Sequence, residues 1–135
     1  MTITMFRAKL HGLRVTEADL YYEGSITIDQ ELLELAGILP YEKVQVVNVN
    51  NGARLETYTL PGERGSRVVC LNGPAARMAA RGDQVLVIAY AQMTPEEARK
   101  HRARVVLFDE HNEPKQTLEL SVEEALAAPS EAGTV

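Results

Sequence analysis

The stretch KVQVVNVNNGARLETYTL, residues 43–60, reads as strand, turn and strand. Val, Tyr and Thr dominate its two arms, and these residues suit a pleated, half-buried surface. Asn50-Asn51-Gly52 stands between the arms, and Asn and Gly tolerate the positive φ of a hairpin turn. Strands are therefore expected over Lys43–Asn50 and Arg54–Leu60. The same two-residue period recurs on both sides. Upstream, Phe6, Ala8 and Leu10 fall on one face, with Arg7, Lys9 and His11 on the other. Downstream, Ser66–Leu71, Gln84–Met93 and Arg104–Asp109 are further strand candidates.

Helical signals are few and short. Asp29 can cap Gln30–Ala36, with Leu32, Leu33 and Ala36 on one apolar stripe and Gly37 as the left-handed stop. Thr94-Pro95-Glu96-Glu97 is a capping box with proline at the first helical position. Ala75–Ala80 reads as one more helical piece. From Gln116 the character changes. Ser121 precedes Glu124 at cap spacing, Ala-rich sequence follows, and Pro129 opens a run of small residues, so 116–135 is expected to be a partly helical or disordered tail. Many short strands with Gly-rich turns and few helices predict a small β-barrel over 1–115.

The chain has 135 residues, 45% of them apolar, which suits a single core. Its lone cysteine, Cys70, rules out an intrachain disulfide framework and is expected to be buried and inert. Acidic residues outnumber basic ones by 19 to 14, and the net charge of −5 argues against nonspecific binding to nucleic acid or anionic membranes. An anionic substrate would need local cations. Arg7 and Lys9 interrupt the first residues before any signal-peptide core develops, and no apolar run is long enough to span a bilayer. A cytoplasmic protein is expected. The three histidines, His11, His101 and His111, lack metal-ligand spacing.

Gly24-Ser25 within Tyr22-Glu23-Gly24-Ser25 is, taken alone, ordinary turn sequence. Its surroundings are more specific. The segment ADLYYEGSITID, residues 18–29, resembles the processing site of the pyruvoyl-dependent aspartate decarboxylases. Lys9-Leu10-His11 upstream resembles the same family. So do Asn50-Asn51-Gly52-x-Arg54-x-x-Thr57-Tyr58, Glu63-Arg64-Gly65-Ser66-Arg67 and Asn72-Gly73-Pro74-Ala75-Ala76 downstream. The match keeps the family's order and spacing from about Met1 to Lys115.

The resemblance implies a double-psi β-barrel and a homotetramer with active sites between neighbouring subunits. It also implies a chain cut between Gly24 and Ser25 into two fragments, and L-aspartate converted to β-alanine for pantothenate synthesis. The residue types suit that chemistry. The Ser25 hydroxyl attacks the Gly24 carbonyl to give an ester, and Gly24 has no Cβ to block the approach. Elimination leaves dehydroalanine, which water converts to a pyruvoyl group. Serine gives pyruvoyl directly by this route. The pyruvoyl carbonyl then condenses with a substrate amine and acts as an electron sink.

Aspartate carries two carboxylates. The resemblance places Lys9 and Arg54 in its pocket, and a guanidinium suits bidentate clamping. The commoner fate of either residue type is a solvated surface charge. The resemblance makes Tyr58 the proton donor after CO₂ leaves, and gives Thr57 a hydrogen-bonding role at the processing site and the substrate. Asn72 can donate its amide to an oxyanion at Gly24 or at the pyruvoyl carbonyl. Gly73, Pro74 and Ala75 are small enough for backbone to approach the substrate, and Pro74 has no N–H to offer.

Strand alternation puts Arg54 and Tyr58 on one face and Thr57 on the other. A single regular strand cannot aim all three into one pocket, which calls for a bulge or a site shared between subunits. Two rival readings stand beside the leading one. One is an uncleaved, noncatalytic β-barrel that acts as a binding module. The other is a pyruvoyl enzyme for another acidic amino acid such as glutamate. The sequence also leaves open whether cleavage is spontaneous or needs a maturation factor.

Overall fold

The computed structural model describes residues 1–21 and 24–128. Tyr22 and Glu23 of the processing motif, and the tail from Pro129, lie outside the described residues. Within them the chain is mainly β with a few short helices, as expected. In order come β1 (Ile3–Arg14), β2 (Glu17–Asp19), β3 (Ser25–Asp29), α1 (Gln30–Ala36), β4 (Lys43–Asn48), β5 (Arg54–Gly62) and β6 (Val69–Asn72). A 3-10 turn (Gly73–Met78), β7 (Gln84–Met93), α2 (Pro95–Arg99), β8 (Arg102–Phe108), β9 (Pro114–Ser121) and α3 (Val122–Ala127) complete the described chain.

The strands lie in the order β2-β6-β3-β5-β4-β7-β1-β8-β9. Pairing is mixed: β1 with β8, β2 with β6 and β3 with β5 are parallel, and the other pairs are antiparallel. Just beyond β1, Thr16 N donates to Val69 O at 2.8 Å and Val69 N donates to Thr16 Oγ1 at 2.9 Å. These bonds tie the end of β1 to β6, so β1, β7, β4, β5, β3 and β6 close on themselves as a barrel. Inside sit fully buried aliphatics, among them Leu10, Ile26, Val46, Leu71 and Val87. The helix α1 plugs one end with Leu32, Leu33 and Ala36.

The local signals behave as read. The Asp29 carboxylate caps α1 by accepting from Glu31 N, and Gly37 ends the helix at φ 72°. Thr94 and Glu97 form the reciprocal capping box. The predicted strand Gln84–Met93 is β7 to the residue.

Four expectations need correction. Phe6 does not share the face of Ala8, because the β1–β7 register slips between them and leaves Arg7 as a bulge. Phe6 instead lies beside Lys9, whose Nζ is 5.7 Å from its ring centroid. The strand expected from Ser66 starts only at Val69, since Arg67 takes a left-handed φ of 61° and its N–H is held by Asp29. The helical piece expected over Ala75–Ala80 is a 3-10 turn over Gly73–Met78. Finally, Gln116–Ser121 is not tail: it pairs with β8 as part of β9, and Ser121 then caps α3. The boundary drawn at 115/116 therefore falls inside a strand.

Candidate active site

Ser25 opens β3 and is fully buried. Its antiparallel partner across β6 is Asn72. Asn72 Nδ2 donates to Ser25 Oγ at 2.9 Å and to Thr27 Oγ1 at 2.9 Å. The Cys70 thiol donates to Asn72 Oδ1 at 3.1 Å. The two-residue strand period explains the cluster: Ser25 and Thr27 share a face of β3, as Cys70 and Asn72 share a face of β6.

Beside Ser25, Gly24 lines a cleft of about 410 Å³ together with Leu55, Glu56, Thr57, Tyr58, Pro74, Ala75 and Met78. A Cβ built on Gly24 would stand 3.7 Å from Pro74 Cδ, an ordinary contact. Gly73 precedes that proline at φ 64°, a backbone setting that favours glycine, and lets the chain turn sharply from Asn72 into the 3-10 segment. The fold thus gathers Gly24, Thr57, Tyr58, Pro74 and Ala75 in one place, with Ser25, Asn72 and Gly73 adjoining in the chain.

Thr57 and Tyr58 share the cleft without a bulge. β4 pairs with β5 over Arg54–Tyr58, whereas β3 pairs with it only over Thr59–Gly62. The other edge of β5 before Thr59 is therefore not covered by β3. A cleft against an open edge meets consecutive residues, whichever face each side chain takes. Glu56 reaches the same cleft, and Lys43 Nζ at 2.9 Å balances its charge.

Lys9 and Arg54 are not brought into this cleft. Lys9 lies in register with Ile88 and, through β7 and β4, with Gln45 and Glu56. Arg54 lies one row over, with Val47, Leu86 and His11. Both occupy the outer face of the sheet, separated by three strand spacings, or roughly 14 Å. Arg54 Nη1 donates to Gln45 Oε1 at 3.2 Å. Burial holds the Lys9 amine below the ordinary lysine range. It also lowers His11, with the Lys9 charge as a second cause. Arg7 is committed elsewhere, in an ion pair with Glu42.

Sequence reasoning missed Thr27 and the part played by Cys70. Cys70 is buried, as expected. Burial pushes its thiol up, the charges of Glu17 and Asp19 add to this, and the Asp19 backbone opposes it. The signal that could have found the pair was the strand period counted from Ser25 and Asn72, but it needs the β3–β6 register, which local sequence does not carry.

Known proteins match this chain closely. The family described as aspartate decarboxylase matches residues 1–115. An aspartate 1-decarboxylase of Salinibacter ruber is 72% identical over 122 residues, covering 90% of this chain and 84% of its own. That of Chloroherpeton thalassium is 55% identical over 123 residues, covering 91% and 90%. Among solved structures, the computationally designed protein msDPBB_sym2 covers 66% of this chain and 100% of its own at TM-score 0.41 and 17% identity, too distant to bear on the fold. On the family match and the close relatives alike, the chain belongs to the aspartate decarboxylase family.

Proposed function

We propose that this chain cuts itself between Gly24 and Ser25 and, with the pyruvoyl group so formed, decarboxylates L-aspartate to β-alanine and CO₂, a step toward pantothenate. Its family and its relatives' names support the substrate and the reaction. The observation that carries the self-cutting is the buried Ser25 Oγ, 2.9 Å from a donating Asn72 amide and next to Gly24 in an open cleft.

The cut begins as Ser25 Oγ bonds to the Gly24 carbonyl carbon. The Gly24–Ser25 C–N bond breaks, and the hydroxyl proton passes to the freed nitrogen. Asn72 stabilises negative charge on Oγ as that proton leaves. The Thr57 hydroxyl, in the cleft with Gly24, is the group assigned to hold the Gly24 carbonyl. Loss of the residue-25 Cα proton then releases Gly24 as a carboxylate, and uptake of water with loss of ammonia completes the pyruvoyl. The residues fit that group: the Asn72 donor already points at the residue from which it would be made, and among the described residues beyond Gly24's chain neighbours a Cβ built there meets only Pro74 Cδ at 3.7 Å. The group supplies the sink for the electron pair released with CO₂.

The remaining work falls to side chains and backbone. Lys9 and Arg54 neutralise the substrate's two carboxylates, and Tyr58 delivers a proton to the carbon that lost CO₂. Because Pro74 lacks an N–H, backbone donors in that loop come from Gly73 and Ala75. Lys9 and Arg54 lie outside the cleft of their own chain, so we assign the complete site to a homotetramer in which a neighbouring chain brings them to it. Val47, Leu86 and Ile88 are half-buried on the same outer face, a surface apt for such packing. We place the protein in the cytoplasm, where its single free cysteine is at home. Among the described residues no helix is long and apolar enough to cross a membrane.

Purified protein given L-aspartate and, separately, L-glutamate tests the assignment. β-Alanine should form from aspartate, with no comparable decarboxylation of glutamate. Equal turnover of glutamate would refute the substrate assignment, and no turnover of either would favour the binding-module reading. Activity in protein purified without any other factor would show that maturation needs no partner.

A further inference from the structure

The Asn72 amide touches three groups, and its usefulness depends on which way round it sits. As observed, both Nδ2 protons are spent, one on Ser25 Oγ and one on Thr27 Oγ1, each at 2.9 Å, while Oδ1 faces the Cys70 sulfur at 3.1 Å. Turned by half a rotation, the amide would set Oδ1 against the two hydroxyls and its N–H groups against sulfur. Ser25 would then donate its own proton to Oδ1, which opposes removal of that proton during the cut. Only the observed orientation places a donor on Oγ.

We propose that Cys70 and Thr27 are positioning residues for self-cleavage: the Cys70 S–H fixes Asn72 Oδ1 and the Thr27 hydroxyl fixes one Nδ2 proton, so that the other is aimed at Ser25 Oγ. The proposal rests on the self-cutting reading above. Hydroxyls alone cannot set the amide, because each can donate or accept. The thiol breaks the tie. Sulfur is a weak acceptor, so it discriminates against a facing N–H and favours a facing carbonyl oxygen. Burial and the neighbouring carboxylates of Glu17 and Asp19 keep the thiol protonated and so a donor. Its other acceptor, Leu71 O, is farther off at 3.9 Å. Register makes the arrangement rigid, since Ser25 faces Asn72 and Thr27 faces Cys70 across one antiparallel ladder.

The test is the cleavage rate of freshly made precursor, followed by intact mass, in wild type, Cys70→Ala, Cys70→Ser, Thr27→Val and Thr27→Ser. Losing one orienting hydrogen bond should slow cleavage about tenfold in Cys70→Ala and Thr27→Val. Cys70→Ser adds to Cys70→Ala a hydroxyl that can donate to Oδ1 but can also accept, so it should recover part of the lost rate, while Thr27→Ser should cut at a rate near wild type. A Cys70→Ser chain as slow as Cys70→Ala would assign the effect to packing and overturn the proposal for Cys70. Wild-type rates in both Cys70→Ala and Thr27→Val, with the wild type itself cutting, would overturn the proposal alone. A wild-type chain that stays whole would overturn the self-cutting reading and the proposal with it. If Cys70→Ala fails to fold, the Thr27 pair decides by the same comparison.

Discussion

The Asp29 carboxylate is wholly buried, and its oxygens accept from Glu31 N at 2.9 Å, Gly65 N at 3.0 Å, Arg67 N at 2.7 Å and Arg67 Nη1 at 3.0 Å. It ends β3, caps α1 and holds the turn that leads into β6, so it braces both strands that meet at Ser25 and Asn72. Asp29→Ala removes all four bonds. Loss of the helix cap should cost about 1 kcal/mol. The Gly65 and Arg67 backbone donors lose an ionised acceptor, at about 1.5 kcal/mol each. Arg67 keeps Glu31 at 3.0 Å and Glu113 at 2.9 Å, so its side chain adds little. The sum is about 4 kcal/mol. Asp29→Asn keeps the oxygen that serves Glu31 and Gly65 but sets an NH₂ against the Arg67 donors, and should lose about half as much. Urea unfolding reads both, as a lower midpoint at unchanged slope. Burial raises the Asp29 carboxyl, but the hydrogen bonds from Arg67, Gly65 and Glu31 outweigh it and hold the group below the ordinary aspartate range. The stabilisation is therefore present above about pH 4 and lost as pH falls through the depressed value, a dependence that Asp29→Ala should lack. A loss under about 1.5 kcal/mol in Asp29→Ala would refute this reasoning, because it would mean that water replaces the carboxylate at little cost.

Other perturbations probe the site and its frame. Tyr58→Phe should still yield both fragments yet lower kcat by about a hundredfold or more, and unimpaired turnover would remove Tyr58 from the proton-donor role. Lys9→Gln should raise KM for aspartate about tenfold or more through loss of a charged hydrogen bond. Since burial depresses the Lys9 amine, affinity should fall off at a lower pH than an ordinary lysine would give, and Lys9→Arg should abolish that early fall. Gly62→Ala would drive a Cβ into Val68 Cγ1 and to 3.2 Å from Thr27 Cγ2. It should destabilise the fold by about 1–3 kcal/mol, measured by urea unfolding, and an unchanged midpoint would show that the strands yield there.

The sequence was most legible where structure is decided locally. Asp29 and Gly37 bracket α1, Thr94 and Glu97 open α2, and Gln84–Met93 is rich in Val, Ile and Tyr that favour strands. It was least legible where distant pairing decides. β2 and β9 are largely exposed, polar pieces that are strands because β6 and β8 lie beside them. β3 is too short to declare itself among the turn residues before it. The slip at Arg7 follows from the β1–β7 register and not from any feature of MFRA. The site divides in the same way. Gly24, Thr57, Tyr58, Pro74 and Ala75 were named in advance and line one cleft, while the open edge of β5 that admits both Thr57 and Tyr58 could be seen only once β3 and β4 were placed. Thr27 and Cys70 stayed hidden because their role depends on cross-strand partners. Lys9 and Arg54 were named too, yet neither lines the cleft of its own chain.

The mass of the purified protein bears most directly on the central claim. Two fragments are predicted, one ending at Gly24 and one beginning at residue 25, the second lighter by one ammonia than a serine-initiated chain. The Ser25→Ala chain should stay whole under the same conditions. A wild-type chain that remains a single piece after prolonged incubation, while turning over aspartate, would contradict the claim that its catalytic group is made from Ser25.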